Sequence, residues 1–281
     1  MSLESRLFAD RVSAETGLDF TGTEGCDRDG SRWLELRPTD YPVGQTFTLR
    51  AVVGWRRIDI FFRPDNFAGE LVEAMGRANE NGRYIFRAVL GVCRDAGAEI
   101  ALSVNGMFRN PDDKAMWDLP WRSLDIAIRR GMLAINEGDA DADMRLIDLW
   151  LTRTAAAILA LLPLEEKYGE SGPSVVDLPE GAKTRIEVNL YERDRRNRAA
   201  ALAIHGSLCK ACDLDMGERY GSVAAGLIEV HHVTPVSEMG ADYLVDPRID
   251  LVPLCPNCHS VAHRRSPPFS VDELRAMQHH P

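Results

Sequence analysis

The spacing of apolar positions changes period several times along the chain, and each period predicts an element. Leu3 to Thr16 repeats its apolar residues at helical spacing. Arg32–Arg37, Thr46–Val53 and Arg57–Phe62 alternate or run apolar with β-branched and aromatic residues, which predicts strands. Asn66 is placed to cap a helix over Phe67–Ala78, and a second helix follows over Tyr84–Ala96. Ile100–Val104 predicts a short strand closing on Asn105-Gly106. Residues 105–122 form a loop-rich segment, and Leu124–Ile135 and Met144–Leu162 predict helices. An antiparallel sheet with helices on one face is the simplest architecture for these elements.

The pattern then breaks. Residues 165–182, EEKYGESGPSVVDLPEGA, combine charge, Gly, Pro and Ser without apolar periodicity, which is linker chemistry. The expected division is a mixed sheet-and-helix domain over 1–164, a linker over 165–182 and a smaller domain over 183–281. In that smaller domain Thr184–Leu190, Leu227–His232 and Leu251–Leu254 predict strands. Asp194–Ile204, Pro256–Arg264 and Val271–Gln278 predict helices. Ser270 with Glu273 makes a capping box for the last of them. The fold class is α+β.

Composition narrows the setting. The chain has 281 residues and 45% hydrophobic content, enough for sizeable cores. Its first residues are charged and amphipathic, without the apolar stretch of a secretory signal. The most apolar run, Ala155–Leu164, is too short to span a bilayer. A cytoplasmic protein without a membrane partner is the expectation. The net charge of −10 argues against a protein coated in lysine for polyanions. Phosphate contacts follow local potential, however, and Lys183, Arg185, Arg193, Arg195, Arg196 and Arg198 outnumber the acids among them. The alternative for each arginine is a solvated helix face.

The chemistry concentrates near the C-terminus. Cys209-Lys-Ala-Cys212 and Cys255-Pro-Asn-Cys258 are two C-x2-C pairs, and four such thiolates fill a tetrahedral zinc site. With no position left open, that zinc is structural. In a cytosolic chain, pairs at this spacing read as metal ligands before disulfides. Cys26 and Cys93 remain as free thiols in packing roles. His231 and His232 are adjacent on a predicted strand, so their side chains diverge and cannot share one task. His259 and His263, four apart, share one face of a helix. Three imidazoles from a strand and a helix can hold a divalent ion and leave positions for water and phosphate; the fourth can activate water. The plainer alternative is packing histidines.

The stretch EVHHVTP followed by DLVPLCPNCHSVAH resembles the HNH endonuclease motif in its McrA-like form, with a C-x2-C pair on each side. The lead-in VNLYERDRRNRAAALAIHG is similar to that subfamily too, so the resemblance covers about residues 186–276. It implies a ββα-metal core and metal-dependent hydrolysis of DNA. Under it, His232 matches the general base, and His231, His259 and His263 match the ligands of the catalytic ion. The motif's middle Asn falls on Asp250, which would brace the loop carrying His232 or touch the metal. Arg193, Arg195, Arg196 and Arg198 are the candidate DNA contacts. Imidazole ligands suit Mn2+, Co2+ or Ni2+ as well as Mg2+.

Residues 1–164 carry no motif of that strength. By analogy with related fusions, they would sense the target. Trp33, Trp55, Trp117 and Trp121 are candidate stacking faces for a flipped base, and Arg56, Arg57, Arg63, Arg109 and Arg122 candidate phosphate contacts. Core packing is the favoured reading of the tryptophans. Three function classes compete: a restriction nuclease for modified or foreign DNA, a nuclease effector whose N-terminal domain senses a ligand or protein, and a non-catalytic zinc module that binds nucleic acid. Duplex cleavage by one such site needs two nicks, which makes a homodimer an expected partner state.

Overall fold

The computed structural model describes residues 4–42, 44–164, 194–234 and 243–278. The linker over 165–182, the strand expected over Thr184–Leu190, and Arg193 lie outside the described residues. The chain is α+β and forms two compact units, Met1–Pro163 and Leu164–Pro281.

The N-terminal unit runs α1 (Ser5–Thr16), β1 (Phe20–Cys26), β2 (Arg32–Pro38), β3 (Phe47–Gly54), β4 (Arg57–Pro64), α2 (Gly69–Gly76), α3 (Glu80–Asp95), β5 (Glu99–Val104), β6 (Met107–Arg109), a 3-10 turn (Lys114–Asp118), β7 (Leu124–Arg130) and α4 (Ala140–Leu161). Its sheet has seven strands in the order β1-β2-β3-β4-β7-β5-β6, with every pairing antiparallel. Period-two alternation places Leu34, Leu36, Leu49, Ala51, Ile58, Ile60, Phe62, Ile126 and Ile128 in the core. The apolar faces of α1, α3 and α4 supply Phe8, Val12, Ile85, Phe86, Val89, Leu151 and Ile158 to the buried set.

Two expectations are corrected here, and two strands join those expected. Leu124–Ile135 is not a helix. Its first seven residues form β7, inserted between β4 and β5, with Leu124, Ile126 and Ile128 buried. The stretch carries good helix formers, but its alternation and its two strand neighbours prevail. Asn66 caps nothing: α2 starts at Gly69, with Ala68 at its N-cap. Asn79 caps α3 instead, accepting from Gly82 N at 2.8 Å. The polar edge strand β1 lacked any apolar signal. Its glycines explain why: a Cβ on Gly22 would lie 2.2 Å from the Ser5 carbonyl oxygen, and one on Gly25 would meet the Trp33 indole at 2.5 Å. Finally, Asn105 and Gly106 both have positive φ, 54° and 76°, and form the two-residue turn that pairs β5 with a further short strand, β6.

The tryptophans separate. Trp117 and Trp121 are core residues, stacked at 4.8 Å between centroids. Trp33 lies under the Arg50 guanidinium at 4.3 Å. Trp55 is 73% exposed at the β3–β4 turn. Arg57 pairs with Asp59 at 2.8 Å, Arg56 with Glu137 at 3.3 Å and Arg109 with Asp113 at 3.6 Å.

The free thiols separate as well. Cys26 is exposed, against expectation, whereas Cys93 is fully buried and desolvation pushes its thiol up to about 12, despite the nearby Arg153 charge. A thiol reagent at pH 8 is therefore expected to modify Cys26 and spare Cys93 until the protein unfolds. The same shift links to stability. The unfolded thiol ionises from about pH 9 and the folded one near 12, so this contribution is intact below 9 and lost as pH rises between the two. Rapid labelling of Cys93 in the folded protein would contradict this burial.

The C-terminal unit runs α5 (Arg195–His205), α6 (Met216–Tyr220), a 3-10 turn (Ser222–Ala224), β8 (Glu229–His232), β9 (Leu251–Leu254), α7 (Pro256–Ala262) and α8 (Val271–Gln278). Strands β8 and β9 pair antiparallel, and α7 follows β9 directly, giving a ββα unit. Its core holds Leu202, Ile228, Val230, Leu251, Leu254, Ala262 and Leu274, together with Cys209, Cys255 and Cys258. The capping box of α8 forms as expected: Ser270 N donates to Glu273 Oε2 at 2.8 Å, and Glu273 N to Ser270 Oγ at 3.2 Å.

Candidate metal centres

The first centre is built by two tight turns. Cys209 and Cys212 sit where Cys209 N donates to Leu214 O at 3.1 Å and Asp213 N to Cys209 O at 2.9 Å. Asp213 takes a left-handed φ of 55° to close this turn. Lys210 N donates to Pro253 O at 2.9 Å, which docks the first knuckle beside the second. Cys255 is the N-cap of α7, and Pro256 opens the helix. The four sulfurs lie within 4.8 Å of one another. Cys212 Sγ and Cys255 Sγ are 3.8 Å apart, which matches the roughly 3.8 Å edge of a tetrahedron with metal–sulfur bonds of about 2.3 Å. Burial pushes Cys212 up to about 11 and Cys258 up as well. For Cys209 burial also opposes ionisation, but backbone N–H donors of Cys255, Cys212 and Ala211 outweigh it and lower its pKa. The donor set fits zinc: soft, tetrahedral and closed to further ligands.

The second centre joins strand and helix. His231 on β8 and His259 and His263 at α7 present one ligand atom each within 4.8 Å of the others. Their ring centroids lie 4.7 to 5.2 Å apart. His259 Nε2 and His263 Nε2 are 3.3 Å apart, about the separation of two nitrogens on one ion at about 2.0–2.1 Å. The three imidazoles therefore fit a divalent ion.

Glu229 is the residue that the sequence reading missed. Two positions before His231, it shares that side chain's face of β8, and its carboxylate accepts from Nδ1–H of His259. This bond fixes the tautomer that turns Nε2 toward the cluster. Glu229→Gln is expected to weaken metal affinity about 10–100-fold. Calorimetric titration with Mn2+ measures it, and an unchanged affinity would show that the carboxylate is dispensable.

His232 is 3% exposed and stands outside the three-imidazole group. Its neighbours along the strand alternate to the other face, as expected for adjacent strand residues. Asp250 is buried, and its Oδ2 accepts from Tyr243 OH at 2.9 Å and Asp246 N at 2.7 Å. Its carbonyl accepts from Val233 N at 2.8 Å, directly after His232. Asp250 thus bonds to the chain at Asp246 and at Val233, and the grouped imidazoles do not include it. An amide oxygen can accept both carboxylate bonds, so Asp250→Asn is expected to retain substantial cleavage and an unchanged metal requirement. A large rise in the metal concentration for half-maximal rate would place Asp250 in the metal site.

Arg198 donates to Ile228 O at 2.5 Å and Gly226 O at 2.8 Å, tying α5 to the entry of β8. Arg195 and Arg196 are half-buried on the first turn of α5.

Residues 209–265 match the HNH endonuclease family model. The C-terminal unit thus carries an HNH domain with a four-cysteine cluster. A curated relative, the type IV methyl-directed restriction enzyme EcoKMcrA of Escherichia coli (strain K12), is 35% identical over 89 residues. That match spans 30% of this chain and 30% of the relative's length. No solved structure matches.

Proposed function

We propose that this protein is a metal-dependent DNA endonuclease of restriction type, acting in the cytoplasm on modified or foreign DNA, with the N-terminal unit as target sensor. The observation that carries this reading is the convergence of His231, His259 and His263, with His232 beside them on the same strand but outside the cluster. His231, His259 and His263 hold the ion and Glu229 orients His259. His232 accepts the proton of the attacking water. A divalent ion bound there supplies Lewis-acid stabilisation of the charge that develops on the scissile phosphate and its leaving oxygen. Cys209, Cys212, Cys255 and Cys258 hold a structural zinc. Among the described residues, no helix is long and apolar enough to cross a membrane. The complete imidazole set disfavours a module that only binds nucleic acid. A homodimer would supply the two nicks of a duplex cut.

The test is cleavage of methylated and unmethylated plasmid by the full chain with Mg2+, Mn2+, Co2+ or Ni2+, and with chelator. Metal-dependent cutting that favours the modified plasmid is expected. Absence of cutting with every metal would defeat the nuclease reading, and equal cutting of both plasmids would defeat the sensor assignment.

A further inference from the structure

The packing of the N-terminal unit leaves Trp55 unexplained. Trp117, Trp121 and Trp150 are buried, and Trp33 lies under the Arg50 guanidinium, whereas the Trp55 indole is 73% exposed. It sits on the two-residue turn Trp55-Arg56, closed by the pairing of Gly54 with Arg57. Met132, 84% exposed, follows the end of β7, whose Arg130 pairs with Ile58. The two loops are tied together: Leu133 N donates to Arg56 O at 3.0 Å, and Asn136 Nδ2 to Gly54 O at 2.9 Å. Asn136 is itself held, its Oδ1 accepting from Arg32 and its N–H donating to Asp143 Oδ1 at 2.9 Å. Leu133 and Ile135 anchor the second loop by burial.

This tip is held in unfavourable backbone conformations. Among the described residues six non-glycine positions have a left-handed φ, and three of them are here: Arg56 at 53°, Met132 at 56° and Asn136 at 62°. A two-residue hairpin turn ordinarily takes Asn and Gly. Strain of this kind persists where the surroundings over-determine it, and it clusters at binding sites. Here the result is a convex tip that presents an indole and a thioether to water, with little apolar gain from folding. The tip and the strands beside it carry Arg56, Arg57, Arg129 and Arg130 against Asp59, Glu99 and Glu137. Arg56 pairs with Glu137 at 3.3 Å and Arg57 with Asp59 at 2.8 Å, yet each guanidinium stays about half exposed, so these weak pairs can yield to another anion. Neither Arg129 nor Arg130 has an ion pair among the described residues.

We infer that the Trp55 turn is a DNA wedge, its indole stacking on a base at an opened step of the duplex while Arg56 and Arg57 meet the flanking phosphates. A convex turn fits a groove better than a flat protein surface. An indole face stacks on any base, and the guanidinium groups complete the match to a polyanion. Met132 adds apolar contact beside the indole. The inference rests on the reading of the chain as a DNA-cutting enzyme, and it names the contact through which the N-terminal unit meets its target.

The experiment is titration of a fluorescein-labelled methylated duplex with the full chain, without added divalent metal, followed by anisotropy and by iodide quenching of tryptophan emission. Trp55→Ala should weaken binding about tenfold or more, as loss of one stacked base does, and Trp55→Phe should retain most of it. Melting temperatures should be unchanged, because the side chain is exposed. DNA should shield the wild-type emission from iodide and leave that of Trp55→Phe unaltered. Arg57→Gln should lower the slope of log affinity against log salt by about 0.9. Phe108→Ala is the control. That ring is 83% exposed at the opposite end of the sheet, and its loss should leave Kd within about twofold. Absence of duplex binding overturns the inference, as do a Kd and a quenching response indifferent to Trp55→Ala. So does a Trp55→Ala variant that turns a dimer into a monomer at unchanged DNA affinity, which would give the tip to a second copy. The nuclease reading fails separately, by absence of cutting with every metal while binding still depends on Trp55.

Discussion

Cys255→Ser is expected to unfold the C-terminal unit and leave the N-terminal unit folded. Cys209, Cys255 and Cys258 belong to the hydrophobic core of their unit rather than to its rim. The knuckles also anchor other parts: Lys210 N bonds to β9 through Pro253 O, and Lys210 O accepts from Arg275 Nε of α8 at 2.8 Å. A structural zinc in such a site contributes on the order of 10–16 kcal/mol of apparent binding free energy, comparable to or above the roughly 5–15 kcal/mol by which whole domains are stable. Losing one thiolate removes most of that. Hydrogen exchange would then show β8, β9 and α7 unprotected while β2, β3, β4 and β7 keep their protection. Elemental analysis should give one zinc per chain in the parent protein and little in the variant. Retained protection of β8 and β9 in Cys255→Ser, or a zinc-free parent protein, would show that the cluster does not hold the fold through a metal.

The sequence shows some of this more readily than the rest, for physical reasons. Covalent spacing survives folding: two C-x2-C pairs and an i, i+4 histidine pair imply their geometry before any tertiary structure is known. Strands β2, β3 and β4 are legible because one face is buried and the other wet, so their alternation is written in residue type. β7 is not, because Leu, Ala and Arg suit helices and only its neighbours β4 and β5 decide the matter. β1 is hidden for the opposite reason, with Gly22 and Gly25 chosen for close approach rather than for propensity. At the site, Glu229 could have been found from its i, i+2 relation to His231, but nothing in the sequence says which imidazole it reaches. The partners of Arg198 were equally hidden. A cation near a nuclease motif suggests phosphate, whereas its two carbonyl partners come from residues 28 and 30 positions away.

His232→Ala is expected to abolish DNA cleavage, by about 10²–10⁴-fold, while metal and DNA binding stay close to wild type. The argument rests on strand geometry. His231 and His232 are consecutive on β8, paired with Val252 and Leu251, and only His231 joins His259 and His263. A group that takes a proton in the transition state contributes little to ground-state affinity, so its loss falls on rate and not on binding. His231→Ala makes the contrast. It removes a member of the three-imidazole cluster, so metal affinity should collapse together with cleavage. Both variants lose a buried imidazole, 3% exposed at position 232 and 4% at 231, so their packing losses are similar and cancel in the comparison. Single-turnover cleavage at saturating Mn2+, with Mn2+ titrated by calorimetry, separates the two. Normal metal affinity with lost rate in His232→Ala assigns the base. Weakened metal binding in that variant would move His232 into the metal site, and an unchanged rate would remove it from the chemistry.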